Sequence, residues 1–99
     1  MSTYRRGANF ERRVKKYFED LGYYVIRSAG SHGVFDLIAI KRGIVLGIQC
    51  KIDGKLTPKE KLAMLTASAK FGIKPLLAYR EGRKLKIEYL FRGDNNHAK

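Results

Sequence analysis

A helical stripe leads the chain. Phe10, Val14, Tyr17, Phe18 and Leu21 recur at i, i+4, i+7, i+8 and i+11, so a helix from about residue 5 to residue 20 presents one apolar face that another layer must cover. Gly22 ends it. The covering layer follows directly, because residues 23–27, 34–40 and 44–51 are β-branched and aromatic runs with the character of strands. Small polar residues, Ser28-Ala29-Gly30-Ser31-His32-Gly33, separate the first two runs, and Lys41-Arg42-Gly43 turns the second into the third as a hairpin.

Thr57-Pro58-Lys59-Glu60 then starts a second helix, predicted to run to about residue 70. Threonine is the N-cap, proline takes the first helical position and glutamate closes a capping box. Residues 73–79 and 85–91 are two further strands, separated by Arg80-Glu81-Gly82-Arg83. The order α-β-β-β-α-β-β predicts an α/β fold in which a mixed sheet of about five strands is flanked by helices. A chain of 99 residues builds one core, so residues 1–91 are expected to form a single domain. Residues 92–99 have nothing to bury and are expected to be a disordered tail.

The second helix carries more apolar surface than one sheet can cover. Leu62, Leu65 and Ala69 make one face, while Met64, Ala67 and Phe71 make another roughly opposite. The face left over is expected to meet a second copy of the chain, giving a homodimer.

Charge narrows the partner. Lysine and arginine outnumber aspartate and glutamate 21 to 9, for a formal charge of +12 and a pI near 10.1. A polyanion is expected, and basic residues spread over every segment favour nucleic acid over a membrane surface or a small-molecule substrate. No apolar stretch approaches the length needed to cross a bilayer, and the N-terminus lacks the apolar core of a secretory signal, so a cytoplasmic location is expected. The lone cysteine, Cys50, has no internal disulfide partner, and no Cys/His spacing suggests zinc.

Asp36 is the residue that demands a chemical reason. It stands in Val34-Phe35-Asp36-Leu37-Ile38-Ala39-Ile40, where an unpaired carboxylate would cost several kcal/mol. The next run ends Ile48-Gln49-Cys50-Lys51, and strand alternation sends Gln49 and Lys51 to one face and Ile48 and Cys50 to the other. An even-length hairpin loop sets Asp36 opposite Gln49, whereas a three-residue loop turns Gln49 away. Arginine is disfavoured where φ must be positive, so a four-residue loop is preferred here to a two-residue turn at Arg42-Gly43. Glu11 lies at the border of the first helix's apolar stripe, from which it can lean toward the sheet. Each residue also has an ordinary reading: Asp36 as a structural acid bonded to loop amides, Lys51 as an edge-strand lysine, Glu11 as a solvated border residue.

Taken together, these segments resemble the archaeal-type Holliday-junction resolvases, a branch of the PD-(D/E)XK nuclease superfamily with a restriction-endonuclease-like fold. The resemblance covers about residues 4–91. It rests on Tyr4-Arg5-Arg6-Gly7 leading to Phe10-Glu11-Arg12, on Val25-Ile26-Arg27-Ser28-Ala29-Gly30-Ser31, on Asp36-Leu37-Ile38-Ala39 and on Gly47-Ile48-Gln49-Cys50-Lys51. It implies a homodimeric, metal-dependent endonuclease acting on branched DNA. Glu11, Asp36, Gln49 and the Cys50 carbonyl would gather around Mg²⁺, for which Mn²⁺ can substitute, and Lys51 would serve the attacking water. Ser31 or Ser28 of the loop would also act in catalysis, while Arg12 and Arg27 would hold phosphates. Arg5 and Arg6 of the first helix and Ser28 and His32 of the loop are further expected contacts to DNA.

The sequence departs from the family pattern at Gln49, where glutamate is expected. Glutamine keeps the shape and a ligating carbonyl oxygen but lacks the charge that a hard dication prefers. Natural variation, known at this place in the superfamily, and deliberate inactivation both remain open. So does a non-catalytic branched-DNA-binding module, although binding alone requires no acid on an apolar strand. A nuclease for nicked or flapped DNA is a third reading.

Overall fold

The computed structural model describes residues 3–28 and 33–91. Helix α1 spans Thr3–Asp20 and is followed by β1 (Tyr24–Arg27), β2 (Leu37–Lys41) and β3 (Ile44–Cys50). Helix α2 (Pro58–Phe71) precedes β4 (Lys74–Glu81) and β5 (Lys84–Tyr89). One five-stranded sheet holds them in the order β1-β2-β3-β4-β5. Every neighbouring pair is antiparallel except β3 and β4, whose connection crosses over through α2. The expected α/β architecture and element order are therefore present.

Each helix packs on a different face of the sheet, although Tyr17 and Leu21 of the expected α1 stripe are exposed. Phe10, Val14 and Phe18 of α1 pack on Val25, Leu37, Ala39, Leu46 and Ile48, with Cys50 at the margin of the cluster. Met64 of α2 packs on the other face with Phe35, Leu77 and Leu90. Alternation along β3 is thus as expected: Ile48 and Cys50 belong to the α1 side, while the Gly47 position faces the ring of Phe35 on the α2 side. Helix α2 starts as its sequence dictates. The Thr57 side chain accepts from the Glu60 amide at 3.1 Å, and the Glu60 carboxylate accepts from the Thr57 amide at 3.0 Å.

Two local expectations need correction. The β2–β3 connection is a two-residue turn, not the four-residue loop, with Lys41 paired to Ile44 and both Arg42 (φ 48°) and Gly43 (φ 83°) in the left-handed region. Its twist matches that of the strands, which outweighs the 1–2 kcal/mol that a left-handed arginine costs by general estimate, about a tenth of a small domain's stability. The second strand is also shorter than the apolar run suggests, since regular pairing begins at Leu37. Phe35 leaves the strand to fill the α2-side core.

Candidate active site

The ends of β1 and β3 and the start of β2 meet at one end of the sheet, because Arg27 pairs with Leu37 and Leu37 with Ile48. Asp36 stands immediately before β2. Its backbone is held on both sides: the Ser28 amide donates to Asp36 O, and the Asp36 amide donates to Ile48 O, each at 2.9 Å. The second bond falls one residue short of the partner that the ladder would supply, so Asp36 and Leu37 both face Ile48. The simple cross-strand pairing of Asp36 with Gln49 is accordingly displaced, although the expected even register does lead up to it. The Asp36 carboxylate reaches past Gln49 and accepts from the Cys50 amide at 2.8 Å.

Burial pushes the Asp36 carboxyl above its ordinary range. The Cys50 amide pulls it back, the charge of Glu11 raises it further and that of Lys51 lowers it. Charges from α1 and from the end of β3, distant in sequence, therefore both reach Asp36. Burial likewise pushes the Cys50 thiol well up, and its side chain packs against the α1-side core, which leaves its backbone groups toward Asp36.

Glu11 does lean inward from α1. Its Oε1 accepts from Arg27 Nε at 3.2 Å, and it lines a cleft of about 300 Å³ together with Arg6, Cys50, Lys51 and Asp53. Lys51 follows directly on β3, the central strand of the five, which removes its reading as an edge-strand lysine. Its amide donates to Ala78 O at 2.9 Å, and its Nζ donates to Glu60 Oε2 at 2.7 Å.

Other expected residues fall less centrally. Gln49 is half-buried in β3 opposite Leu77 of β4. Arg12 is exposed and donates to Asn9 Oδ1 at 2.6 Å within its own helix. Ser28 is half-buried, and a Cβ at Gly33 would stand 2.9 Å from its Oγ, so the two ends of the loop approach closely. Ser31, His32 and the side chain of Arg5 lie outside the described residues, as do residues 92–99.

Sequence reasoning missed three residues near this end. Arg13 and Arg80 line, with Arg6, a second cleft of about 270 Å³ that shares Arg6, Phe10 and Ile52 with the first. Only the sheet order brings Arg80 of β4 beside α1. Glu60 reads in the sequence as a capping residue alone, yet a capping box uses one carboxylate oxygen and leaves the second free to bond elsewhere. Among the described residues, no three or more His, Cys, Asp and Glu side chains stand together as a ready metal cage.

A mixed sheet between two helices, with carboxylates, a lysine and arginines gathered where its strands end, makes this an α/β protein with a charged cleft at one end of its sheet. The same fold occurs in the structure of a Holliday junction resolvase, Hjc of Archaeoglobus fulgidus, with a TM-score of 0.73 over 85% of this chain and 72% of that one at 24% identity. The family model described as archaeal Holliday junction resolvase matches residues 2–96, and the chain belongs to that family. Crossover junction endodeoxyribonuclease Hjc of Methanocaldococcus jannaschii is 43% identical over 81 residues, which is 78% of this chain and 60% of that protein. The chain thus matches somewhat less than two thirds of that relative's length. No helix among the described residues is long and apolar enough to cross a membrane.

Proposed function

We propose that this protein is a structure-selective DNA endonuclease that resolves four-way junctions by Mg²⁺-dependent phosphodiester hydrolysis. The observation that carries this reading is the convergence of Glu11 from α1 and Lys51 from the end of β3 on one cleft, with the charges of both reaching Asp36 at the start of β2. A phosphate-binding surface alone gives no reason to keep a destabilising, half-buried acid. Family membership brings the junction and the divalent cation as expectations, and the relatives' names support both the substrate and the reaction.

The donor set suits such an ion. Asp36 is desolvated and repelled by Glu11, and a hard dication relieves both penalties while accepting the neutral oxygens of Gln49 and the Cys50 backbone. When bound, Mg²⁺ supplies stabilisation of charge developing on the phosphate. Glu11, Asp36, Gln49 and the Cys50 carbonyl hold it in this reading, and Mn²⁺ can replace it. Lys51 orients the attacking water. Arg27 and Arg6 take phosphates at the mouth of the cleft, where a guanidinium can donate two parallel bonds to one phosphate. The Arg13 and Arg80 cleft continues that basic track. Arg5, Arg12, Ser28, Ser31 and His32 complete the contacts to DNA, with Ser28 or Ser31 also serving catalysis.

The partner is a second copy of this chain. Met64 is buried against the sheet, whereas Leu62, on the opposite side of α2, is 66% exposed. Leu62, Leu65 and Ala69 line an open apolar groove of about 730 Å³ to which Tyr89 and Phe91 contribute. Two copies would bring one site to each of two strands in a junction.

The deciding experiment is cleavage of a synthetic four-way junction by this protein and by its Gln49→Glu variant with Mg²⁺ or Mn²⁺, beside nicked and flapped duplexes. Cleavage of the junction in preference to the others is expected, together with binding that ignores base sequence and weakens steeply with salt. Gln49 favours one rival, a non-catalytic module that binds branched DNA. Background cleavage on every substrate by both proteins would establish that rival.

A further inference from the structure

We propose that Glu60 is a positioning residue for Lys51, so that the capping box of α2 also holds the lysine of the site in place; this rests on the nuclease reading above. The carboxylate of Glu60 is used twice. Oε1 accepts from the Thr57 amide at 3.0 Å and Oε2 accepts from Lys51 Nζ at 2.7 Å. The helix start thereby fixes the orientation of the carboxylate before the lysine reaches it. Capping by itself needs neither the second oxygen nor a charge, since glutamine serves the same N3 position.

Lysine without such a partner is poorly suited to hold a water molecule still. Its four-carbon stem is rich in rotamers, and the Lys51 side chain is 29% exposed. The backbone is already anchored, by the bond from the Lys51 amide to Ala78 O and by a turn in which the Gly54 amide donates to Lys51 O at 2.8 Å. Glu60 restrains what remains free.

The direction of the restraint also matters. Glu11 lines the cleft with Lys51, and the charges of both are felt at Asp36. An untethered ammonium would collapse onto those two carboxylates and occupy the place where they would hold a cation. Glu60 pulls Lys51 toward α2, leaving the carboxylates free while keeping the ammonium beside them.

Glu60→Gln separates positioning from capping, because the amide oxygen can still accept from Thr57. Two measurements test the proposal on the whole chain, in the native and the Gln49→Glu backgrounds. The first is NMR relaxation of the Lys51 Cε methylene without metal: it should be ordered when Glu60 is present and as mobile as a surface lysine in the Glu60→Gln variant. The second is junction cleavage, where kcat should fall about tenfold to a hundredfold with KM and melting temperature nearly unchanged, consistent with the cost of a misplaced group. In a Lys51→Ala background the same change should have no further effect on kcat. Equal Lys51 mobility in both proteins, or an undiminished kcat, overturns the role of Glu60 and leaves the nuclease reading intact. Absence of cleavage by the native and Gln49→Glu proteins alike overturns the nuclease reading instead, whatever the mobility of Lys51.

Discussion

The Asp36 carboxylate accepts a 2.8 Å hydrogen bond from the Cys50 amide, in a place whose burial nonetheless raises its pKa. One bond does not offset the loss of water around a charge. The folded protein therefore holds the Asp36 proton more tightly than the unfolded chain, whose value is near 3.8. Stability from this group is greatest below 3.8, falls as pH rises toward the higher folded value, and is level above it. Asp36→Asn keeps the shape and an acceptor for the Cys50 amide but removes the charge. Thermal melts in a chelator should show the variant equal to the parent in acid and a few degrees more stable at neutral pH. A variant that melts lower at neutral pH would contradict this account of Asp36.

Gln49→Glu adds a further carboxylate to a neighbourhood in which Glu11 already raises Asp36. Without metal, a like charge added there should cost about 0.2–1 kcal/mol and lower the melting temperature by a few degrees. Mg²⁺ should restore the loss through preferential binding to the folded state, and cleavage should rise roughly tenfold or more. The check is a melt with and without Mg²⁺ beside the junction assay. Identical Mg²⁺ responses in the two proteins would place Gln49 outside the metal site.

The apolar face of α2 that the sheet leaves uncovered should form the dimer contact. Leu62→Asp and Ala69→Asp should each give a monomer mass by light scattering at micromolar concentration, with melting of the protomer little changed. Met64→Asp cannot serve, because Met64 is 1% exposed in the core and its loss would unfold the chain. A dimer that persists in both surface variants would assign the contact elsewhere.

Gly47 supports the site from below. A Cβ built there would lie 2.7 Å from three ring atoms of Phe35, the buried residue immediately before Asp36. Gly47→Ala should therefore cost about 1–3 kcal/mol in urea denaturation. Adding Phe35→Leu should recover part of that loss, since the two changes act on one contact. Strict additivity would show that the ring does not set the cost.

Much of the fold was legible because it depends on local pattern. The α1 stripe, the capping box at Thr57 and the β-rich runs indicate every element and its order, and alternation puts Gln49 and Lys51 on the face away from Ile48 and Cys50. The β2–β3 turn was not legible, because the positive φ of Arg42 is a local cost that strand twist offsets only once both strands exist. For the same reason the apolar run before Asp36 looks like strand: hydrophobicity marks Phe35 for burial without saying that it would turn into the α2-side core.

The sequence by itself determined that a basic α/β domain would carry Glu11, Asp36 and Lys51 with a glutamine among them, since residue type and periodicity suffice for that. Tertiary structure alone decided what each of these groups touches. Asp36 meets a Cys50 amide because the ladder slips at its end, and Arg27 meets Glu11 because α1 lies across β1–β3. Lys51 meets Glu60 because the chain between β3 and α2 folds back on itself. Hydrogen bonds and ion pairs act over a few ångströms, and nothing in a sequence states which distant residues the packing will bring that close.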